Sequence, residues 1–122
     1  MPLDYLDFDY SEDSEGTGTL DAMACVAPSH LARLEAEIAQ VLGWAEAHFG
    51  APAAPIEEGG SWHFDLQGTE ETSTPLVLHF DAETQSLTRT PGAPGAPRTT
   101  LTLSLSGTAG FCADLRAHFD LE

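Results

Sequence analysis

Apolar side chains recur along this chain at two different spacings, and each spacing predicts a different element. Leu6, Phe8 and Tyr10 alternate with Asp7 and Asp9, while Leu20, Ala22, Ala24 and Val26 alternate with Asp21, Met23 and Cys25. Alternation puts one set of side chains on one face of an extended backbone, so both runs predict half-buried strands. The polar, glycine-bearing stretch at residues 11–18 predicts the loop that joins them as a hairpin.

The period then lengthens. Leu31, Leu34, Ile38, Val41, Leu42, Ala45 and Phe49 form one helical stripe. Pro28-Ser29 opens this helix with Ser29 as the expected N-cap. Gly50 stands where a left-handed C-cap belongs, and Pro52 blocks continuation. A connector, APAAPIEEGG, follows at residues 51–60.

Alternation returns with Trp62, Phe64 and Leu66 against His63, Asp65 and Gln67, then a polar loop at residues 68–75. Leu76, Leu78 and Phe80 against Val77 and His79 predict another strand, and residues 86–90 a short one after a turn. The PGAPGAP run at 91–97 suits neither helix nor central strand. Leu101, Leu103 and Leu105 against Thr100, Thr102 and Ser104 predict the last strand. Thr108 is placed to cap a final helix carrying Phe111, Leu115 and Phe119. The expected order is ββαββββα in a single α+β domain spanning residues 1–122. The architecture expected is a two-layer sandwich with a mainly antiparallel sheet of about six strands. The long helix and the C-terminal helix cover one face, and the other is open to water.

Charge narrows the possible partners. Twenty acids face four Arg and no Lys, a formal charge of −16. Binding a phosphate backbone requires neutralising cations, so a nucleic-acid partner is not expected, and an anionic membrane surface is disfavoured likewise. With no basic, apolar leader pattern and no apolar run of membrane length, the expected location is cytoplasmic. The alanine-rich, lysine-free composition suggests a GC-rich bacterial source. Cys25 and Cys112 fall in different elements and are expected as reduced thiols, not a bridge.

Three features carry candidate chemistry. The first is the N-terminal acid density, where Asp7, Asp9, Glu12, Asp13 and Glu15 are the candidate contacts for a basic protein partner. Asp9-x-Ser11-x-Asp13 opens like a calcium loop, but Ser14 and Leu20 replace the glycine and glutamate that such a loop needs. The second is the tripeptide His-Phe-Asp, found at residues 63–65, 79–81 and 118–120. If the strands of the first two copies paired, His63, Asp65 and His79 would share the open face. Their donor types suit a divalent metal, with a hydrolytic role as one alternative. The third is the helix face Ala32, Ala36, Ala39, Gly43 and Ala47, small enough to pack on the C-terminal helix or on a second copy as a homodimer.

No nucleophile elbow, phosphate-binding loop, dinucleotide fingerprint or zinc-protease motif is present, so a catalytic role finds no support in local spacing. The run Gly59-Gly60-Ser61-Trp62-His63-Phe64-Asp65-Leu66-Gln67-Gly68 resembles part of the sheet of the bacterial frataxins, small acidic proteins that bind iron weakly through surface acids. It spans about ten of 122 residues. A hairpin ahead of the helix, and residues 76–80 where a tryptophan-bearing strand would stand, depart from that pattern. No family is assigned on it. The expectation is a small acidic, non-catalytic protein-binding module of inhibitor, immunity or adaptor type. A metal-binding protein and a structural homodimer are the alternatives.

Overall fold

Residues 2–51 and 61–121 are described by a computed structural model. Their elements run β1 (Asp9–Glu12), β2 (Gly18–Val26), α1 (Pro28–Phe49), β3 (Trp62–Glu71), β4 (Leu76–Asp81), β5 (Ser86–Pro91), β6 (Arg98–Gly107) and α2 (Ala109–His118). The fold is α+β with the expected ββαββββα order. The six strands divide into two groups: a four-stranded antiparallel sheet ordered β1-β2-β6-β3, and a separate β4-β5 hairpin.

The sheet is amphipathic for the reason the alternation implies. Leu20, Ala22, Ala24 and Val26 of β2 and Leu103 and Leu105 of β6 are buried against Leu34, Ile38, Val41 and Ala45 of α1 and Phe111, Cys112 and Leu115 of α2. Trp62 anchors the edge strand in this core, stacked on Phe111 at 5.5 Å between ring centroids, with its indole N–H donating to the Gly50 carbonyl. Gly107 and Gly18 lie where a Cβ would collide with Phe111 and Cys112 respectively, so the sheet and α2 approach more closely than any other residue type permits.

Both helix ends follow their local chemistry. Gly50 takes φ +81°, and its N–H bonds to the Glu46 carbonyl. The Thr108 hydroxyl accepts the Phe111 N–H and caps α2. The N-cap of α1 is Ala27 rather than Ser29, because Pro28 already occupies the first helical position and Ser29 falls within the first turn.

The strand limits depart from the alternation most at two places. β1 begins at Asp9, not Leu6. Leu6 and Phe8 are buried, yet the backbone before them leaves the sheet to meet α1. There the N–H groups of Asp4, Tyr5 and Leu6 all donate to the Glu37 carboxylate, at 2.6, 2.9 and 2.7 Å. In turn β3 runs on to Glu71, through Gly68 and the expected loop, because β6 offers it ten partners from Gly107 back to Arg98. The connector at residues 52–60 lies outside the described residues.

Candidate functional site

The register fixes which side chains share the open face. Asp9 lies directly opposite Asp21, Asp21 opposite Ser104, and Ser104 opposite Asp65, so one row of the sheet reads Asp-Asp-Ser-Asp. The next row reads Ser11, Thr19, Ser106 and His63. Asp7, Asp9 and Asp21 line one shallow depression of about 400 Å³, floored by Ala22, Met23 and Thr102. Like charges directly opposite each other are destabilising in an antiparallel pair, and Asp9 and Asp21 occupy such opposite positions. Arg98, on the same face, lies six residues along β6 from Ser104, about 20 Å away at the rise of a strand. It is occupied there, beside Glu71 and donating to the Cys25 carbonyl at 3.2 Å.

Two acids of the N-terminal cluster, though exposed, are engaged by hydrogen bonds within the fold. The Asp13 carboxylate accepts the N–H groups of Glu15 and Thr17, each at 2.9 Å, and so builds the β1–β2 turn, in which Gly16 takes φ +87°. Glu12 accepts the Tyr10 hydroxyl at 2.9 Å, and this bond raises the phenol above its ordinary pKa. The Arg116 guanidinium sits 4.3 Å from the centre of the same ring. Asp7, Asp9 and Glu15 are exposed, and Asp21 joins them. Asp21 belongs to the same acid-rich stretch without being among the expected contacts, and the hairpin register carries it to Asp9.

The histidines are placed apart. β3 pairs with β6 and β4 with β5, so His63 stands beside Ser106 while His79 stands beside Thr88 on the separate hairpin. The pairing that would make His63 and His79 cross-strand neighbours does not form. Asp65 accepts a bond from Gln67 at 2.9 Å. Among the described residues no group of three or more His, Cys, Asp or Glu has metal-holding geometry. In the third copy, on α2, His118 stacks on Trp44 at 5.0 Å, next to His48 on the same indole at 4.6 Å.

Both cysteines are free thiols. Cys25 is exposed on the open face, and bonding from the Thr100 hydroxyl, then Arg98, lowers its pKa. Burial raises that of Cys112, whose Sγ lies 3.7 Å from the Gly107 carbonyl.

Two further surfaces are uncovered. Ala32, Ala36, Ala39, Gly43 and Ala47 of α1 are all exposed, so α2 does not shelter them. The larger surprise is the β4-β5 hairpin, expected as half-buried strands. Leu76, Leu78, Phe80 and Leu87 lie on one of its faces, each more than half exposed. Another depression, about 520 Å³, is the seam where the N-terminal segment crosses α1, and its buried carboxylate, Glu37, already accepts three N–H groups. No helix among the described residues is long and apolar enough to cross a membrane. Comparison with known protein families, curated proteins and solved structures finds no match.

Proposed function

We propose that this chain is a non-catalytic protein-binding module of inhibitor, immunity or adaptor type that engages a basic partner through the acidic end of its open sheet face. The observation that carries this reading is the Asp9–Asp21 pair. Asp9 and Asp21 occupy directly opposite positions beside Asp7, around one depression, and Arg98, the arginine of that face, is about 20 Å off. An arrangement that is unfavourable alone becomes favourable once a Lys or Arg is set between the carboxylates. The −16 net charge adds steering of a cationic partner at a distance.

Asp7, Asp9, Glu15 and Asp21 are the contact residues in this reading. Asp13 shapes the turn that presents them, and Glu12 orients Tyr10. The test is affinity capture from a lysate of the source cell, followed by titration of the identified partner. The Asp7→Asn, Asp9→Asn, Glu15→Gln and Asp21→Asn variant should bind it at least tenfold more weakly at low salt, with the gap narrowing at high salt. Equal affinity of variant and parent at low salt sinks the reading.

A further inference from the structure

We infer that His48 and His118 form a two-imidazole site for a divalent late transition-metal ion, Cu²⁺ foremost, separate from the acidic sheet face. Two helices bring the pair together: His48 lies in the last turn of α1, and His118 is the last residue of α2. Both side chains are exposed, and their ring centres are 6.4 Å apart. Metal–imidazole bonds of about 2.1 Å set two ring centres roughly 6.5 Å apart when the imidazoles take opposite positions on one ion. Tetrahedral coordination draws them about 1 Å closer. The observed spacing therefore suits a square-planar ion after rotation of the exposed rings, and imidazole nitrogen is a preferred donor to Cu²⁺, the ion that divalent sites of this kind hold most tightly.

The surroundings prepare both rings for this. Nδ1 of His48 lies 2.9 Å from the Trp44 carbonyl, which can only accept, so Nδ1–H donates and Nε2 of the neutral ring keeps its lone pair. A bond of this kind to a backbone carbonyl is how metal-binding histidines are commonly oriented. The Trp44 indole backs the two imidazoles, stacked on His48 at 4.6 Å and on His118 at 5.0 Å. It is held in turn by the edges of Phe49 and the buried Phe119. Both rings stand at helix C-termini, where unpaired carbonyls favour a cation. The other base in the last turn of α2, Arg116, has its guanidinium over the Tyr10 ring. Two imidazoles leave the remaining coordination positions to water, so the site needs no third side chain and binds its ion reversibly.

Titration of Cu²⁺ into the whole chain, in a non-coordinating buffer near neutral pH, tests this. The tightest-bound ion should show the electron paramagnetic resonance splitting of two ligand nitrogens. It should also quench the emission of Trp44, which touches both rings, and Trp44→Phe should abolish that quenching while keeping the two-nitrogen signal. His48→Gln and His118→Gln should each weaken binding by roughly tenfold or more and leave the splitting of one nitrogen. Far-ultraviolet dichroism should be unchanged in both, since each replaces an exposed side chain. His63→Gln should alter neither signal. A chain that binds no copper overturns the inference, as does binding indifferent to His48→Gln or to His118→Gln. Quenching that survives Trp44→Phe overturns it too, and so does a signal removed by His63→Gln or Asp9→Asn, which would put the ion on the sheet face.

Discussion

The Glu37 carboxylate accepts the backbone N–H of Leu6 at 2.7 Å, and that bond explains why the chain enters its sheet where it does. Glu37 is 8% exposed, the one charged side chain among the buried described residues, and it is satisfied because Asp4 and Tyr5 donate to it as well. It sits beside Ile38 at the rim of the apolar stripe, one turn from Leu34. A helical residue thus takes the place of a sheet neighbour for three consecutive peptides, and Leu6 and Phe8 are carried into the core without pairing in a strand.

Replacing Glu37 by Ala leaves those N–H groups without their acceptor. Each buried donor so orphaned costs about 1–3 kcal/mol, reduced here by water reaching the exposed Asp4 and the half-buried Tyr5. Glu37→Ala should therefore lower stability by about 2–3 kcal/mol in urea unfolding, and Glu37→Gln, which keeps one acceptor oxygen, by less. An unchanged midpoint for Glu37→Ala would show that the N-terminal segment is held by Leu6 and Phe8 alone.

The like-charged pair makes the opposite prediction. Asp21→Asn removes repulsion from Asp9, so the isolated protein should gain a few tenths of a kcal/mol while binding to the basic partner falls. Chemical denaturation at low and high salt checks the sign, since the gain should shrink as salt screens the pair. A loss of stability in Asp21→Asn would mean that the carboxylate is bonded within the fold rather than presented from it.

Close packing at the end of β6 supplies a third prediction. A Cβ on Gly107 would collide with the Phe111 ring, which is fully buried and stacked on Trp62. Gly107→Ala should destabilise by about 1–3 kcal/mol, the usual cost of overpacking, and should alter the near-ultraviolet dichroism of Trp62. Gly43→Ala, with nothing near its Cβ, should instead be neutral or stabilising by up to about 1 kcal/mol through helix propensity.

The two thiols should separate cleanly by rate. Cys25 is exposed, and its pKa is lowered by the Thr100 hydroxyl and Arg98, so its alkylation should reach half its maximal rate below the usual thiol range. Thr100→Val should move that midpoint upward. Cys112 is buried with a raised pKa and should react only as the protein unfolds. Mass spectrometry of time-resolved alkylation distinguishes the two sites, and comparable rates for both would contradict the placement of Cys112.

Much of the fold was legible because alternation and helical period report which face of an element is apolar. The buried rows of β2, β6, α1 and α2 follow directly from Leu20–Val26, Leu103–Leu105, Leu34–Ala45 and Phe111–Leu115. What periodicity does not report is the partner that covers a face. Leu76, Leu78 and Phe80 alternate as regularly as Leu101, Leu103 and Leu105, yet the first set is exposed on a hairpin and the second lies between β2 and β3. Strand order depends on the long-range choice of β6 as the partner of both β2 and β3, and that choice separates His63 from His79. The candidate site was half legible. Its charge could be counted, but the opposition of Asp9 and Asp21 depends on a turn held by Asp13, and the role of Glu37 depends on a crossing between distant segments.

Hydrogen exchange of the protein with and without its captured basic partner tests the proposed binding face most directly. The account predicts added protection in residues 9–12 and 18–26, with little change along α1. A footprint on α1, or on β4 and β5 with β1 and β2 unaffected, would contradict it.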